Sequence, residues 1–464
     1  MRKNINVDES KFNFKSNTDY AFKSSPGLNE KIIREISEYK SEPSWMLEKR
    51  LEALRAFHNI PEPNFGVDRS QLNINEIIPY IRPNAAKEAS WDEVPEEIKN
   101  TFERLGIPEA ERKSLAGVGA QYDSEVVYQH IREDLEKLGV IFLDMETAVK
   151  KYPELVKKYF MRLVPASDHK YAALHGAIWS GGSFVYVPEN IRVPLPLQAY
   201  FRMNLAGMGQ FEHTLIIADK GSELHFIEGC SAPRYNVHNL HAGMVEIYVM
   251  EGAKVRYSTI QNWSKNTFNL NTKRAIVEAE GTMEWVSGSL GSMKTMLYPA
   301  TILNGRGAKA NHLAVTYAGA GQMMDTGSKV IHLAPGTSST VDARSISVGG
   351  GWAFYRGLLY ISEKAKNSKA SVECSALMLD NFSKSDTVPI IDVRTNQSDI
   401  GHEARIGRIS EDQIYYLMTR GLTEAEAKAM IVRGFMEPIS RELPIEYAVE
   451  LNRLINLEIE KSIG

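Results

Sequence analysis

The sequence predicts a mainly β protein, a stacked β-solenoid core between helical segments at both ends. Three observations carry this expectation. The hydrophobic period changes from helical to short strand-like runs near residue 166, and it changes back near residue 402. Between those points, units of strand, glycine-containing turn and strand recur. The anchoring glycines, Gly221, Gly252, Gly281, Gly307 and Gly336, are spaced by 31, 29, 26 and 29 residues. A unit of this length cannot bury its own apolar face, whereas stacked units pair their backbones and share one core. Propeller blades need roughly 40 residues or more, so the spacing favours a solenoid, and a β-sandwich is the alternative.

The chain divides on this reading into residues 1–165, helical; 166–402, the β core; and 403–464, helical. In the first part, Ile32, Ile33, Ile36, Leu47, Leu51 and Leu54 recur at helical spacing between charged residues. A helix is expected from Ser90 to Gly106, where early acidic residues suit a helix start. Another is expected over SEVVYQHIREDLEKL, Ser124 to Leu138. In the last part, Thr423 and Glu426 form a capping box, Gly434 offers a stop, and Pro444 can open a final helix.

Composition narrows the function. A net charge of −4 over 464 residues argues against a broad basic face for nucleic acid. There is no apolar leader at the start and no run of about 18 uncharged apolar residues, so neither secretion nor membrane insertion is expected. Only two cysteines occur, Cys230 and Cys374, which suits a reducing cytoplasm better than a disulfide-stapled secreted protein. The sequence lacks a GxxxxGK[ST] loop, CxxC, HExxH and GxSxG, so ATP hydrolysis by a P-loop and the corresponding hydrolytic chemistries are not expected.

Thiol, imidazole and carboxylate chemistry remains. Cys374 lies in the alternating run SVECSALML, and His402 and Glu403 follow near the end of the β region. Thiolate is the usual iron–sulfur ligand, and imidazole or carboxylate is its substitute. A lone buried cysteine is also a common small core residue. Cys230 is followed by Arg234, His238 and His241, whose positive charge would lower its pKa and favour nucleophilic sulfur chemistry. The two histidines are alternatively metal ligands or ordinary packed residues.

The segments KYAALHGAIWSGGSFVYVP (170–188), PLQAYFRMN (196–204), GQFEHTLIIADKG (209–221), FIEGCSAP (226–233) and VRYSTIQNW (255–263) resemble, in order, signatures of the SUF-system B scaffold family. SWDEVPEEIK and the C-terminal ELPIEYAVELNRLINLEIEKSIG resemble its terminal segments. The resemblance implies a right-handed parallel β-helix core and an assembly scaffold rather than an enzyme. It implies a transient iron–sulfur cluster as cargo and, as in some relatives, a reduced flavin in the complex. Implied partners are an ABC-type ATPase subunit of the SufC type, docking on the C-terminal helices, and a SufD-type paralogue or a second copy of the chain. Sulfur would come from a cysteine desulfurase with its sulfur-transfer protein.

By the same resemblance, Cys230 accepts sulfur, with Arg202 and Asn204 on its route. Cys374 and Glu403, with His402, hold the nascent cluster. The chain departs from the family pattern at Gly401, where many members have glutamate, at Gly407 in place of serine, and at His175-Gly176 in place of Asn-Ser. A glycan-active β-helix enzyme would need paired carboxylates, and Asp325, Asp342 and Asp380 form no evident cluster. A purely structural solenoid adaptor would tolerate loss of either cysteine.

Overall fold

A computed structural model of the chain describes residues 19–85, 91–104 and 115–442. Two long sheets face each other, and from Ser183 onward the main strands alternate between them, forming a β-solenoid of about eight turns. Sheet I contains Leu197–Arg202, Glu223–Ser231, Lys254–Trp263, Thr282–Gly291, Lys309–Ala318, Ser338–Ser347, Ser368–Met378 and Ser398–Arg408. Sheet II contains, among others, His213–Ala218, Met244–Val249, Thr267–Val277, Met323–His332, Trp352–Ile361 and Lys384–Val393. These neighbours pair in parallel and in register. At the N-terminal end each sheet is closed by an antiparallel pair, Gly117–Tyr122 with Glu125–Ile131 and Ile141–Asp144 with Ser183–Val187.

Side-chain alternation explains why these segments pair as they do. In Trp352–Ile361 every second residue is buried between the sheets, as a period of two requires. The turns stack as well. Gly221, Gly252, Gly307 and Gly336 adopt φ of 66°, 67°, 71° and 69°, and each donates its N–H to a carbonyl in the turn of the next rung. In the third turn the expected anchor, Gly281, is not the left-handed residue. Glu280 holds that conformation, with φ of 55°, although it has a Cβ.

The N-terminal helices Glu30–Tyr39 and Ser44–Asn59 break at Lys40–Pro43, and Asn29 caps the first through its side-chain oxygen (3.1 Å). The second packs on the helix Lys170–Ile178, and its buried Arg50 pairs with Glu42 at 2.6 Å. Glu96–Arg104 is helical as expected, while Ser90 and Gly106 lie outside the described residues.

The expected helix from Ser124 to Leu138 is replaced by a strand, Glu125–Ile131, and a short helix, Glu133–Lys137. Its Val126, Val127 and Tyr128 favour extended backbone. The tight turn at Asp123 (φ 56°) folds them back as a hairpin on the first strand of sheet I.

At the other end, Glu411–Thr419 and Glu424–Glu442 are helical. The capping box forms, with Glu426 N–H donating to Thr423 Oγ1 (3.2 Å) and Thr423 N–H to Glu426 Oε2 (2.8 Å). Gly434 does not end this helix. Val432 and Met436 pack on Val286 and Val315 of sheet I, and that burial carries the helix past the glycine. The helix expected after Pro444 lies outside the described residues. Among the described residues no helix is long and apolar enough to cross a membrane.

Candidate functional site

Both cysteines point into the space between the sheets, where they join one buried core. Cys230 is 2% exposed and stands in register with Phe201 and Gln261. Two residues earlier on the same face, Glu228 is also buried. Its carboxylate accepts from Lys273 Nζ of sheet II (2.7 Å), Thr259 Oγ1 (3.2 Å) and the Tyr257 hydroxyl, and the Cys230 thiol lies 3.8 Å away. Beyond Gln261 the polar contacts continue through Asn269 Nδ2 (2.7 Å) to His241 Nδ1 (2.8 Å from Asn269 Oδ1) and on to Glu212. Ionic and polar groups are tolerated this deep largely because they satisfy one another, although Gln261 Nε2 and Glu212 Oε2 have no hydrogen-bond partner among the described residues.

This environment reverses the expected activation of Cys230. Burial pushes the thiol well above its ordinary pKa, and the Glu228 and Glu212 carboxylates push it further against the opposing Lys273 charge. Arg234 is exposed and His241 is engaged by Glu212 and Asn269, so the basic residues that follow Cys230 do not make it a thiolate. Burial would also raise Glu228, but Lys273 and the hydrogen bonds hold its carboxyl below the usual range.

Arg202 and Asn204 lie near Cys230 but not beside its sulfur. Arg202 is fully buried on the opposite face of sheet I, in register with Ser231, and its Nη1 donates to Ser231 Oγ (3.0 Å). Asn204 donates its backbone N–H to Asp123 Oδ1 (2.6 Å), and Tyr20 donates its hydroxyl to Asp123 Oδ2 (3.0 Å). Burial raises the Asp123 carboxyl to about 6, against the Asn204 and Tyr20 hydrogen bonds and the Arg202 charge.

Cys374 is 3% exposed and pairs in register with Ala343 and Ala404. Burial raises its thiol to about 11, although the Tyr355 hydroxyl hydrogen-bonds the sulfur and opposes the rise. Tyr355 comes from sheet II and also bonds Ser328 Oγ at 2.8 Å. A cavity of about 20 Å³ adjoins the sulfur, bounded by Thr316, Thr326, Ala343 and Thr387 among others. That is room for about one water molecule.

The terminal rung, Ser398–Arg408, separates the other two candidate ligands. His402 is in register with Val372 and so lies on the Cys374 face. Glu403 is in register with Glu373 on the opposite face, where its Oε1 accepts from Arg405 Nε (2.7 Å). Among the described residues no three His, Cys, Asp or Glu side chains converge on a point where a metal ion could sit. The carboxylates considered for glycan chemistry are engaged separately: Asp325 with Arg356, Asp342 with Arg344, and Asp380 with the N–H groups of Gly349, Phe382 and Ser383.

The sequence reading missed Glu228 and Lys273. Glu228 carried a signal, since a period of two places it on the face of Cys230. Lys273 carried less, because only the facing of the two sheets brings it there.

Comparison with known proteins gives the family. The family described as "SUF system FeS cluster assembly, SufBD core domain" matches residues 201–435, and "SufBD protein N-terminal region" matches residues 33–199. An "iron-sulfur cluster assembly SufBD family protein" of Staphylococcus aureus strain MRSA252 is 53% identical over 463 residues, covering 100% of both chains. A protein of the same description from Staphylococcus haemolyticus is 52% identical over 463 residues, again covering 100% of both chains. With both family regions matched and similarity across the full length, the chain belongs to the SufBD family of iron–sulfur cluster assembly proteins.

Proposed function

We propose that the chain is the B-type scaffold of a cytoplasmic SUF complex, taking up sulfur at Cys230 and building a nascent iron–sulfur cluster at Cys374. The observation that carries this reading is the interior between the two thiols. Five inter-strand steps separate their strands, about 24 Å at 4.8 Å per step. The column through Cys374 runs from Thr259 through Ser287, Ala314 and Ala343, and the column through Cys230 runs through Gln261, Ser289, Thr316 and Ser345. Apart from Gln261, small and hydroxyl side chains stand where a solenoid core would favour Val, Ile and Leu.

Uptake at Cys230 is an exchange: its sulfur attacks the outer sulfur of a donor persulfide, and the donor leaves as a thiol. Glu228 is placed to take the thiol proton, and Lys273 to hold the charge that results. The donor would be a cysteine desulfurase with its sulfur-transfer protein.

The open end of the solenoid favours a second subunit, a D-type paralogue or another copy. Phe382, Ile390, Ile391 and Ile406 are exposed there, and Lys384–Val393 and Ser398–Arg408 are the edge strands. His402, on the Cys374 face, would complete the iron ligands with donors from that subunit, and Glu403, on the opposite face of the same edge strand, would join them by turning around that edge. Exposed Tyr415, Tyr416, Met418 and Met430 on the C-terminal helices suit an ABC-type ATPase partner.

Anaerobic reconstitution of the purified complex with iron and a sulfur source should develop a visible cluster absorption band. Cys374→Ala should abolish it, and an unchanged spectrum would remove Cys374 from the site.

A further inference from the structure

A second feature lies on the outer side of sheet II, and among the residues that line it Lys273 reaches through the sheet to Glu228. A cavity of about 640 Å³ sits between the loop Ile60–Phe65, the start of the helix Lys170–Ile178, and the strand Thr267–Val277. This volume is in the range of small-molecule sites. Its floor is a break in the ladder. Phe268–Asn271 pair with Lys294–Leu297 and Arg274–Val277 pair with Ala300–Leu303, leaving Thr272 and Lys273 unpaired on the side of Tyr298 and Pro299 while they pair with Met244 and Val245 on the other. A proline lacks the N–H that a ladder needs.

The walls combine aromatic surface with a cation, Lys329, that has no salt bridge among the described residues. The rings of Phe65 and Tyr298 stand 6.2 Å apart, and Lys329 Nζ lies 5.4 Å from the Tyr298 ring. The other charges around the cavity are satisfied. Arg274 holds Asp168 through two bonds (3.0 and 2.9 Å), and Glu62 accepts from Tyr171 (3.0 Å) with Arg69 at 3.5 Å. Among the described residues no carboxylate forms an ion pair with Lys329. Burial lowers its ammonium from the ordinary lysine range, and the nearby Arg274 and Arg356 charges add to this, against the Asp168 charge. An anion beside Lys329 would relieve that repulsion, and flat aromatic surface could lie on the rings.

We propose that this cavity binds a small organic anion with an aromatic body, its charge beside Lys329 and its ring against Tyr298 and Phe65.

Two dyes with the same rings test this on the purified full-length chain. 8-Anilinonaphthalene-1-sulfonate carries the anion, and N-phenyl-1-naphthylamine lacks it. The sulfonate dye should saturate a single site. Lys329→Gln should weaken it about tenfold while leaving the neutral dye within about twofold, and Phe65→Ala should weaken both. Circular dichroism checks the fold of each variant, and Phe65→Ala, in an exposed loop, serves if Lys329→Gln does not fold. Sulfonate-dye titrations unchanged by either substitution overturn the proposal. So does binding lost only on Ile390→Asp, which would place the dye on the open end of the solenoid.

Discussion

Replacing Lys273 with methionine isolates the electrostatics around Cys230. The Lys273 ammonium and the Glu228 carboxylate are each 1% exposed and 2.7 Å apart. Removing the cation leaves a buried carboxylate with two hydroxyl donors, a loss of about 3–5 kcal/mol. The carboxyl can instead take up a proton. At pH 7, protonating a group of ordinary glutamate pKa costs about 3.7 kcal/mol, which caps the loss near 4 kcal/mol. The cap falls by about 1.4 kcal/mol for each pH unit below 7, so the variant should lose markedly less at pH 5.

Urea unfolding followed by tryptophan fluorescence at the two pH values measures this. The double variant Glu228→Gln/Lys273→Met should recover much of the loss, because no charge is then buried alone. The same pair should move Cys230 in opposite directions: Glu228→Gln lowers the pH midpoint of its alkylation profile, and Lys273→Met raises it. A pH-independent loss below about 1 kcal/mol, or strictly additive effects in the double variant, would refute the network.

Tyr355→Phe removes the hydroxyl that favours the Cys374 thiolate, so the midpoint of its alkylation pH profile should rise above about 11; an unchanged midpoint would show that the hydroxyl does not act on the sulfur. Asp123 titrates near 6 in the folded chain, above its ordinary value, so the native state binds the extra proton. Its contribution is fully present below about pH 4 and is lost as pH rises through 6. The stability of the wild type relative to Asp123→Asn should therefore fall by about 3 kcal/mol across that window, read from denaturant midpoints; a rise would contradict the assignment. Gly336→Ala, at φ 69° with open space around the added carbon, should cost about 1–2 kcal/mol of backbone strain. Glu280→Gly, at φ 55° in the equivalent turn, should be neutral or stabilising by up to about 1 kcal/mol, and denaturation midpoints would expose the reverse order.

Much of the fold was legible because its determinants are local. The alternation in Trp352–Ile361 and the capping box of Thr423 and Glu426 are set within one element, and the turn spacing repeats along the chain every 26 to 31 residues. Where a local signal failed, a distant contact had outweighed it. EVVYQHI reads as part of a helix until pairing with Gly117–Tyr122 makes it a strand. Gly434 reads as a stop until Met436 finds a place on sheet I. In the third turn the glycine was noticed, but its neighbour Glu280 took the strained conformation.

The candidate site divides along the same line. That two cysteines occupy one repeating β architecture, and that a carboxylate two positions before Cys230 shares its face, follows from the order of residues alone, because strand period and repeat length are properties of the backbone. Which charges meet those thiols depends on how the two sheets and their rungs pack. Lys273 reaches the surroundings of Cys230 from a strand of sheet II and Glu212 from the segment just before His213–Ala218, and Glu403 falls on the far side of its strand from Cys374 because parallel pairing sets Ala404, not Glu403, beside that cysteine. A Coulomb interaction depends on separation in space and on the loss of water around it, and the stacking of the rungs sets both.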